Sequence, residues 1–286
     1  MGRIKLIAVD IGGSLINDNN IIPDENIEAL KRAKQKGIKI ALITARMYSS
    51  TKYISCKIKA DYGIFSNGSI VMNLENRIPY YEEYIPNVTL NRLIDFAKEN
   101  NMYLHVNRLL WEFSDRKEYL ALKHIVLNEN YPPSLKNNVM VVDDLREYCR
   151  NTEDAVKVAF VSEDNMDDFK ELLERTFPNL YITEYYKNSN ETAINKVINY
   201  IEVGINPDTK GAGLKLLAKE LSMNEDSILV IGDGNNDIDL FKDFKNTGCL
   251  ANGIDEAKKL ASYVSPYTNN EAGVADIINH FLEGGK

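Results

Sequence analysis

Two apolar segments far apart in the chain end in the same way, and this repetition most narrows the folds open to the sequence. The first, IKLIAVDIGGSL, lies near the amino terminus and reaches Asp10 before a turn with Gly12 and Gly13. The second, SILVIGDGNND, reaches Asp233. Each pattern is typical of a buried strand, an acidic turn and a helix. Because ligands of open parallel sheets bind at the carboxyl ends of the strands, Asp10 and Asp233 are expected to converge.

Strand and helix patterns alternate from residue 4 to about residue 71 and again in the last third of the chain. Pro23 and Asp24 begin a helical pattern that Gly37 ends, before the apolar run IKIALIT. A second helical pattern has apolar residues spaced i, i+3, i+4 and i+7, namely Leu214, Leu217, Ala218 and Leu221. Such alternation predicts an α/β fold with parallel strands joined by helices.

The region between these two parts has a different texture. It contains amphipathic helical patterns and short strand-like runs such as MYLHV, AVKVAFV and NYIEVG. We interpret residues 83–205 as a second α/β domain inserted into a core domain formed by residues 1–82 and 206–286. The loop-like segments PYYEEYIPN and GINPDTKG flank the insert and are predicted to act as hinges.

Composition excludes several classes of protein. The 286 residues are 44% hydrophobic and 27% charged, as in a soluble globular protein, and the net charge of -8 without a basic cluster argues against nucleic-acid binding. Cys56, Cys149 and Cys249 lack metal-ligand spacing, so we expect buried, reduced thiols and a cytoplasmic protein. No signal peptide or membrane-spanning segment is predicted, and we expect a monomer or a weak homodimer.

Four separated segments carry the polar residues of a possible active site. They are VDIGGSL, LITAR, DTKG and IGDGNND, supported by SNGSIV, ANGIDEAKKLASYV and NNEAGV. In order and approximate spacing they resemble the motifs of the haloacid-dehalogenase-like hydrolases, in the branch of Cof-like sugar phosphatases that carries an α/β cap. The resemblance covers nearly the whole chain. It implies a Rossmann-like core, a cap that sets substrate specificity, and phosphatase activity on small phosphorylated metabolites.

The residue types themselves fit phosphoryl transfer, which needs a nucleophile, a cation and donors that hold the phosphoryl oxygens. Asp10 is the candidate nucleophile, forming an aspartyl-phosphate. Carboxylates from Asp10 and Asp233 suit Mg²⁺, which prefers oxygen ligands. The resemblance adds the backbone carbonyl of Gly12 as a ligand. Asp237 is expected either to join the metal site or to steady Lys210.

The remaining candidates would bind the phosphoryl group. Thr44 and Lys210 are predicted to bind it, with Asn236 and the turn at Gly12 and Gly13 as further contacts. Two interpretations of Arg46 stay open, because its guanidinium could reach the substrate or could pair with a carboxylate at the rim.

The sequence departs from the family at one decisive position. The usual first motif is Asp-x-Asp-Gly-Thr, whose second Asp protonates the leaving group and later activates water; here that residue is Gly12. Ser14 replaces the Thr but keeps the hydroxyl. General acid–base catalysis is typically worth about 10²–10⁴ in rate. Three interpretations remain: a slow phosphatase rescued by another group or by an acyl phosphate substrate, a phosphometabolite sensor, or an altered form of an ordinary phosphatase.

Overall fold

The computed structural model describes residues 4–115, 132–136, 138–189, 198–205 and 209–284. The chain divides into two compact units. The core unit comprises Met1–Arg46, Ile54–Tyr81 and Asp208–Lys286, and the insert unit comprises Met47–Tyr53 and Glu82–Pro207. The segment Met47–Tyr53 thus differs from the predicted division, which assigned it to the core.

An eight-stranded sheet forms the centre of the core unit. Its strands are β1 (Leu6–Asp10), β2 (Lys39–Ile43), β3 (Tyr62–Phe65), β4 (Ile70–Asn73), β5 (Pro79–Glu82), β12 (Ile228–Gly232), β13 (Asn246–Cys249) and β14 (Tyr263–Val264). The strand order is β14-β13-β12-β1-β2-β3-β4-β5. All five residues of β1 are buried, with Ile7 and Val9 in one apolar cluster and Leu6 and Ala8 in another. The centre of the sheet is therefore buried on both faces, as predicted, whereas the edge strands β5 and β14 are partly exposed.

The helices of the core unit follow its strands. They are α1 (Asp24–Gln35), α2 (Tyr48–Lys57), α6 (Lys210–Glu220), α7 (Ile238–Asp243), α8 (Asp255–Leu260) and α9 (Gly273–Glu283), with α2 shared between the two units. Helix α1 shows why these residues form a helix at this place. Acidic Asp24 and Glu25 occupy its first turn, where they complement the helix dipole. Gly37 follows in a left-handed conformation, with φ of 81°, which favours glycine. The predicted helix is confirmed.

The sheet is parallel across its central strands but not at one edge. Strands β1, β2, β3, β12, β13 and β14 form parallel pairs, whereas β3 and β4 are antiparallel. Only the four residues 66–69 join β3 to β4, and a parallel pair would need a long crossover connection. The predicted entry hinge, PYYEEYIPN, is also partly wrong, because its first four residues form β5. The predicted exit hinge includes residues 206–208, which lie outside the described residues.

The insert unit contains a six-stranded sheet in the order β10-β11-β9-β6-β7-β8. Its strands are β6 (Tyr103–Arg108), β7 (Trp111–Ser114), β8 (Asn138–Val141), β9 (Ala155–Ser162), β10 (Tyr181–Ser189) and β11 (Ile198–Gly204), and its helices are α3 (Asn87–Glu99), α4 (Leu145–Tyr148) and α5 (Asp167–Thr176). Apolar residues such as Val106 and Phe160 pack with α3 and α5 on one face. Alternate positions on the strands carry polar side chains, including Lys157, which pairs with Glu202 at 2.6 Å.

Two expectations from composition can be compared with the structure. All three cysteines are unpaired, but Cys56 is exposed rather than buried. Among the helices that the structure describes, none has the length and apolar character needed to cross a bilayer.

Candidate active site

The carboxylates of Asp10 and Asp233 meet at the carboxyl ends of two neighbouring strands. Asp10 is the last residue of β1, and Asp233 directly follows β12, which pairs with β1 in parallel. Asp237 lies in the next turn. One carboxylate oxygen from each of these three residues lies within 4.8 Å of the others. The predicted convergence is confirmed, and we call these three residues the carboxylate cluster.

Lys210 lies between two members of the cluster. Its Nζ donates to Asp10 Oδ1 at 2.6 Å and to Asp237 Oδ1 at 2.7 Å, and the residue is only 1% exposed. The ammonium is placed by the start of α6, where the Thr209 hydroxyl caps the helix by accepting from the backbone N–H of Ala212.

Burial shapes the protonation of the cluster. It raises the pKa of Asp10 to about 7 against the opposing effect of Lys210, and the neighbouring Asp237 and Asp233 raise it further. Burial also raises the pKa of Asp233 to about 6. Burial alone would lower the pKa of Lys210, but its two carboxylate partners together raise it, so this side chain stays charged. Three carboxylates therefore share one ammonium.

This donor set fits a divalent cation that prefers oxygen. A cation would let all members of the cluster remain ionised, and carboxylate oxygens are ligands that Mg²⁺ accepts. Asp237 already uses both oxygens, because Oδ1 accepts from Lys210 and Oδ2 accepts from the backbone N–H groups of Asp233 and Gly234 at 2.9 Å each. Asp10 and Asp233 are thus the better candidates for direct ligands, with Asp237 as their support.

The turn after Asp10 combines one required glycine with one that the fold does not require. Gly13 has φ of 75°, and a Cβ there would lie 2.3 Å from Asp233 Oδ2. Gly12 has φ of -79° and ψ of 124°, which any residue can adopt, and a Cβ there would meet no atom within 4 Å. Ser14 completes the turn, since its hydroxyl donates to Asp233 Oδ1 at 2.6 Å.

A family model for haloacid dehalogenase-like hydrolases matches residues 7–278, a span that includes the whole carboxylate cluster, Lys210 and both glycines. The chain belongs to the haloacid dehalogenase-like hydrolases.

Individual relatives match this hydrolase from end to end. It is 26% identical over 284 residues to the 5-amino-6-(5-phospho-D-ribitylamino)uracil phosphatase YcsE of Bacillus subtilis, covering 98% of this chain and 96% of the relative. It is 25% identical over 296 residues to a second phosphatase of that description, YwtE of Bacillus subtilis, with coverages of 98% and 99%. In structure it is similar to a haloacid dehalogenase-like hydrolase from Bacteroides thetaiotaomicron, with a TM-score of 0.82, 21% identity and coverages of 97% and 99%.

The other predicted phosphate-binding residues of the hydrolase lie on nearby strand ends and turns. Thr44 follows β2, is 2% exposed, and its hydroxyl oxygen accepts from the backbone N–H of Arg46 at 3.1 Å. Arg46 lies two residues beyond Thr44 in the bend that follows β2, and both interpretations of its guanidinium stay predictions. Asn236 lies half-buried in the turn Asn235–Asp237.

Sequence reasoning assigned no role to a set of asparagines that holds the turn after Asp10. Asn252 donates from Nδ2 to the Gly13 carbonyl at 2.8 Å and accepts from the backbone N–H of Asn269 at 2.9 Å. Asn269, which is 4% exposed, also donates to the Ile16 carbonyl at 3.1 Å. The signals available in the sequence were Asn252 in ANGI and Asn269 in NNEAGV. The partner of Asn252 is Gly13, which lies 239 positions earlier in the chain, so no local pattern connects them.

Proposed function

We propose that this hydrolase is a Mg²⁺-dependent phosphatase of small phosphorylated metabolites that works through an aspartyl-phosphate on Asp10. The observation that carries the proposal is the placement of Asp10, buried at a strand end, fixed by Lys210 at 2.6 Å and surrounded by further carboxylates. Clusters of buried ionisable groups with shifted pKa values are concentrated at functional sites, and an Asp carboxylate can act as the nucleophile in covalent phosphoryl transfer.

The chain's own residues divide the work of the first step. Asp10 uses Oδ1 to accept from Lys210, so Oδ2 is the oxygen that remains for attack on phosphorus. Lys210 and the Thr44 hydroxyl stabilise negative charge on the phosphoryl oxygens, as preorganised donors do in phosphoryl transfer. Asn236 and Arg46 are proposed as additional contacts to the phosphoryl group or to the rest of the substrate.

Asp10, Asp233 and the Gly12 carbonyl are the proposed ligands of the metal. When bound, Mg²⁺ supplies neutralising charge to the phosphoryl oxygens. The contribution of the protein is to keep the ligands in place: Ser14 fixes Asp233, and Asp237 fixes Lys210 together with the backbone of residues 233 and 234.

We further propose that the substrates resemble sugar phosphates and that their turnover is slow. The two Bacillus subtilis relatives are named for a substrate with a phosphorylated ribityl chain, which is a polyhydroxylated alkyl phosphate. Such a substrate has an alkoxide leaving group that needs a proton, and Gly12 provides none. The absence of a general acid would lower the rate by about 10²–10⁴, or roughly 3–5 kcal/mol in the barrier.

Gly12 also favours a second candidate, a phosphometabolite-binding or sensor protein. The cluster, Lys210 and Thr44 would hold a phosphorylated ligand whether or not it is turned over. The two candidates differ in one measurable respect, because only the phosphatase releases phosphate.

The test measures phosphate release and Mg²⁺ binding together. The protein is assayed against sugar phosphates and nucleotides with and without MgCl₂, and Mg²⁺ affinity is measured by calorimetry for the parent, Asp233→Asn and Asp226→Asn. Asp226→Asn is the control, because it removes an exposed carboxylate at the opposite end of β12. We expect slow Mg²⁺-dependent release and an affinity at least about tenfold lower in Asp233→Asn alone. Mg²⁺ binding without phosphate release supports the sensor. If the protein neither binds Mg²⁺ nor releases phosphate, both candidates are contradicted.

A further inference from the structure

Position 12 offers space for a side chain and carries none. Its backbone angles suit any residue, and the direction of a Cβ is open to 4 Å. The neighbouring Gly13 is the opposite case, since its positive φ and the 2.3 Å approach to Asp233 exclude a side chain. Folding therefore accounts for Gly13 but not for Gly12. The consequence of glycine at position 12 is chemical, because no side chain there can donate or accept a proton beside Asp10.

No carboxylate of the cluster is available to replace the missing acid. Both oxygens of Asp237 accept hydrogen bonds from Lys210 and the backbone, and Oδ1 of Asp233 accepts from Ser14. Oδ1 of Asp10 accepts from Lys210. Of the two remaining oxygens, Oδ2 of Asp10 is proposed for attack on phosphorus and Oδ2 of Asp233 is proposed for the metal. Neither is left to act as the acid. Lys210 Nζ lies between Asp10 and Asp237 and donates to both, so it is not placed to take a proton from an attacking water.

We propose that the protein accepts the phosphoryl group of acyl phosphates onto Asp10 and retains it there. This inference rests on the aspartyl-phosphate chemistry of the proposed function and names the substrate class that suits a site without the acid. It also changes the expected outcome of the reaction, from slow hydrolysis to a stored phosphoryl group.

The first step balances without any proton transfer. An oxygen of the Asp10 carboxylate forms a bond to phosphorus, and the bond from phosphorus to the acyl oxygen breaks. The bonding electron pair stays on that oxygen, which leaves as a carboxylate. A carboxylic acid has a pKa near 4, so its anion is a stable leaving group at neutral pH, whereas an alkoxide is not. The absence of an acid at position 12 therefore slows the reaction of an acyl phosphate far less than the reaction of a sugar phosphate.

The bond that forms is of the same class as the bond that breaks. Aspartyl-phosphate is itself an acyl phosphate, so transfer between the two carboxylates is close to balanced in free energy and can run in either direction. Hydrolysis of the aspartyl-phosphate is different, because a water molecule must lose a proton as it attacks phosphorus. The base for that step is missing at position 12, and the phosphorylated protein should persist.

The experiment incubates the whole protein with acetyl phosphate and MgCl₂ and follows its intact mass and the release of acetate. We expect the mass to rise by one phosphoryl group, with a burst of about one acetate per chain, and hydroxylamine should remove the group. Asp10→Asn should show no mass increase. Gly12→Asp should release acetate continuously and retain the phosphoryl group at least about 10²-fold more briefly than the parent. Asp226→Asn, which removes an exposed carboxylate at the opposite end of β12, should behave like the parent.

The outcomes separate this inference from the proposed function. If the parent hydrolyses sugar phosphates with Mg²⁺ but never retains a phosphoryl group, the phosphatase stands and the inference fails, because another group acts as the acid and base. If the parent and Gly12→Asp lose the group equally fast, the inference fails as well. If neither protein reacts with acetyl phosphate or with any phosphate ester, both proposals fail. The burst is measured in the parent itself, so the inference remains testable even if Gly12→Asp does not fold.

Discussion

Replacing Gly13 by Ala is expected to damage both the fold of the core unit and its proposed metal site. An L-residue at φ of 75° costs about 1–2 kcal/mol. The new Cβ would start 2.3 Å from Asp233 Oδ2, so relief to an ordinary contact of 3.4 Å requires a displacement of about 1.1 Å. That movement breaks the 2.6 Å hydrogen bond from Ser14, worth about 1 kcal/mol. The total loss is about 2–3 kcal/mol.

The assay compares Gly13→Ala with Gly12→Ala by thermal unfolding and Mg²⁺ titration. At about 2–4 °C per kcal/mol, the midpoint of Gly13→Ala should fall by roughly 5–10 °C. Its Mg²⁺ affinity should also fall, because Mg²⁺ demands near-ideal ligand positions. Gly12→Ala should keep or slightly raise the midpoint, since Ala restricts the unfolded chain. Equal midpoints and equal Mg²⁺ affinities for the two variants would show that the turn is not shaped as described.

Two further predictions concern the charges of the cluster. Without metal, the raised pKa values of Asp10 and Asp233 mean that the folded state holds protons that the unfolded state, with a pKa of 3.8, has released. Stability should therefore fall as pH rises from about 4 to 7, and MgCl₂ should raise the melting temperature more at about pH 8 than at about pH 5.5, as scanning fluorimetry would show. Lys210→Met leaves the carboxylates of Asp10 and Asp237 buried without their cation and should cost about 3–5 kcal/mol at about pH 8. Urea unfolding at about pH 8 and pH 5.5 should show that the loss in free energy of unfolding is smaller at the lower pH. A loss that does not depend on pH would contradict this prediction.

The parts of the structure that local pattern determines were predictable. Helix α1 followed from its spacing and from Gly37, and the meeting of Asp10 with Asp233 followed from two apolar strands that each end in a carboxylate. Both inferences depend only on periodicity and on the rule that parallel strands present their carboxyl ends at one edge.

The remaining features depend on contacts that no local pattern specifies. The motif containing Lys210 indicated a phosphate-binding lysine, but not that its ammonium would lie buried between Asp10 and Asp237. The hydrogen bond from Asn252 to Gly13 joins residues 239 positions apart. The antiparallel edge of the sheet arises from the short connection between β3 and β4, which an alternating strand and helix pattern does not reveal.

The position of β1 in the sheet has a consequence for how the protein is made. One neighbour of β1 is β2, which follows it closely, whereas the other is β12, which begins at Ile228. A growing chain on the ribosome must therefore carry one edge of β1 without its final partner until more than two hundred further residues have been added. An unpaired apolar edge invites association with other chains, and pairing over such a separation is slow. A chaperone that shields β1 during synthesis would consequently raise the yield of folded protein. Phosphoryl chemistry cannot begin on an unfinished chain, because Lys210 and Asp233 are added late.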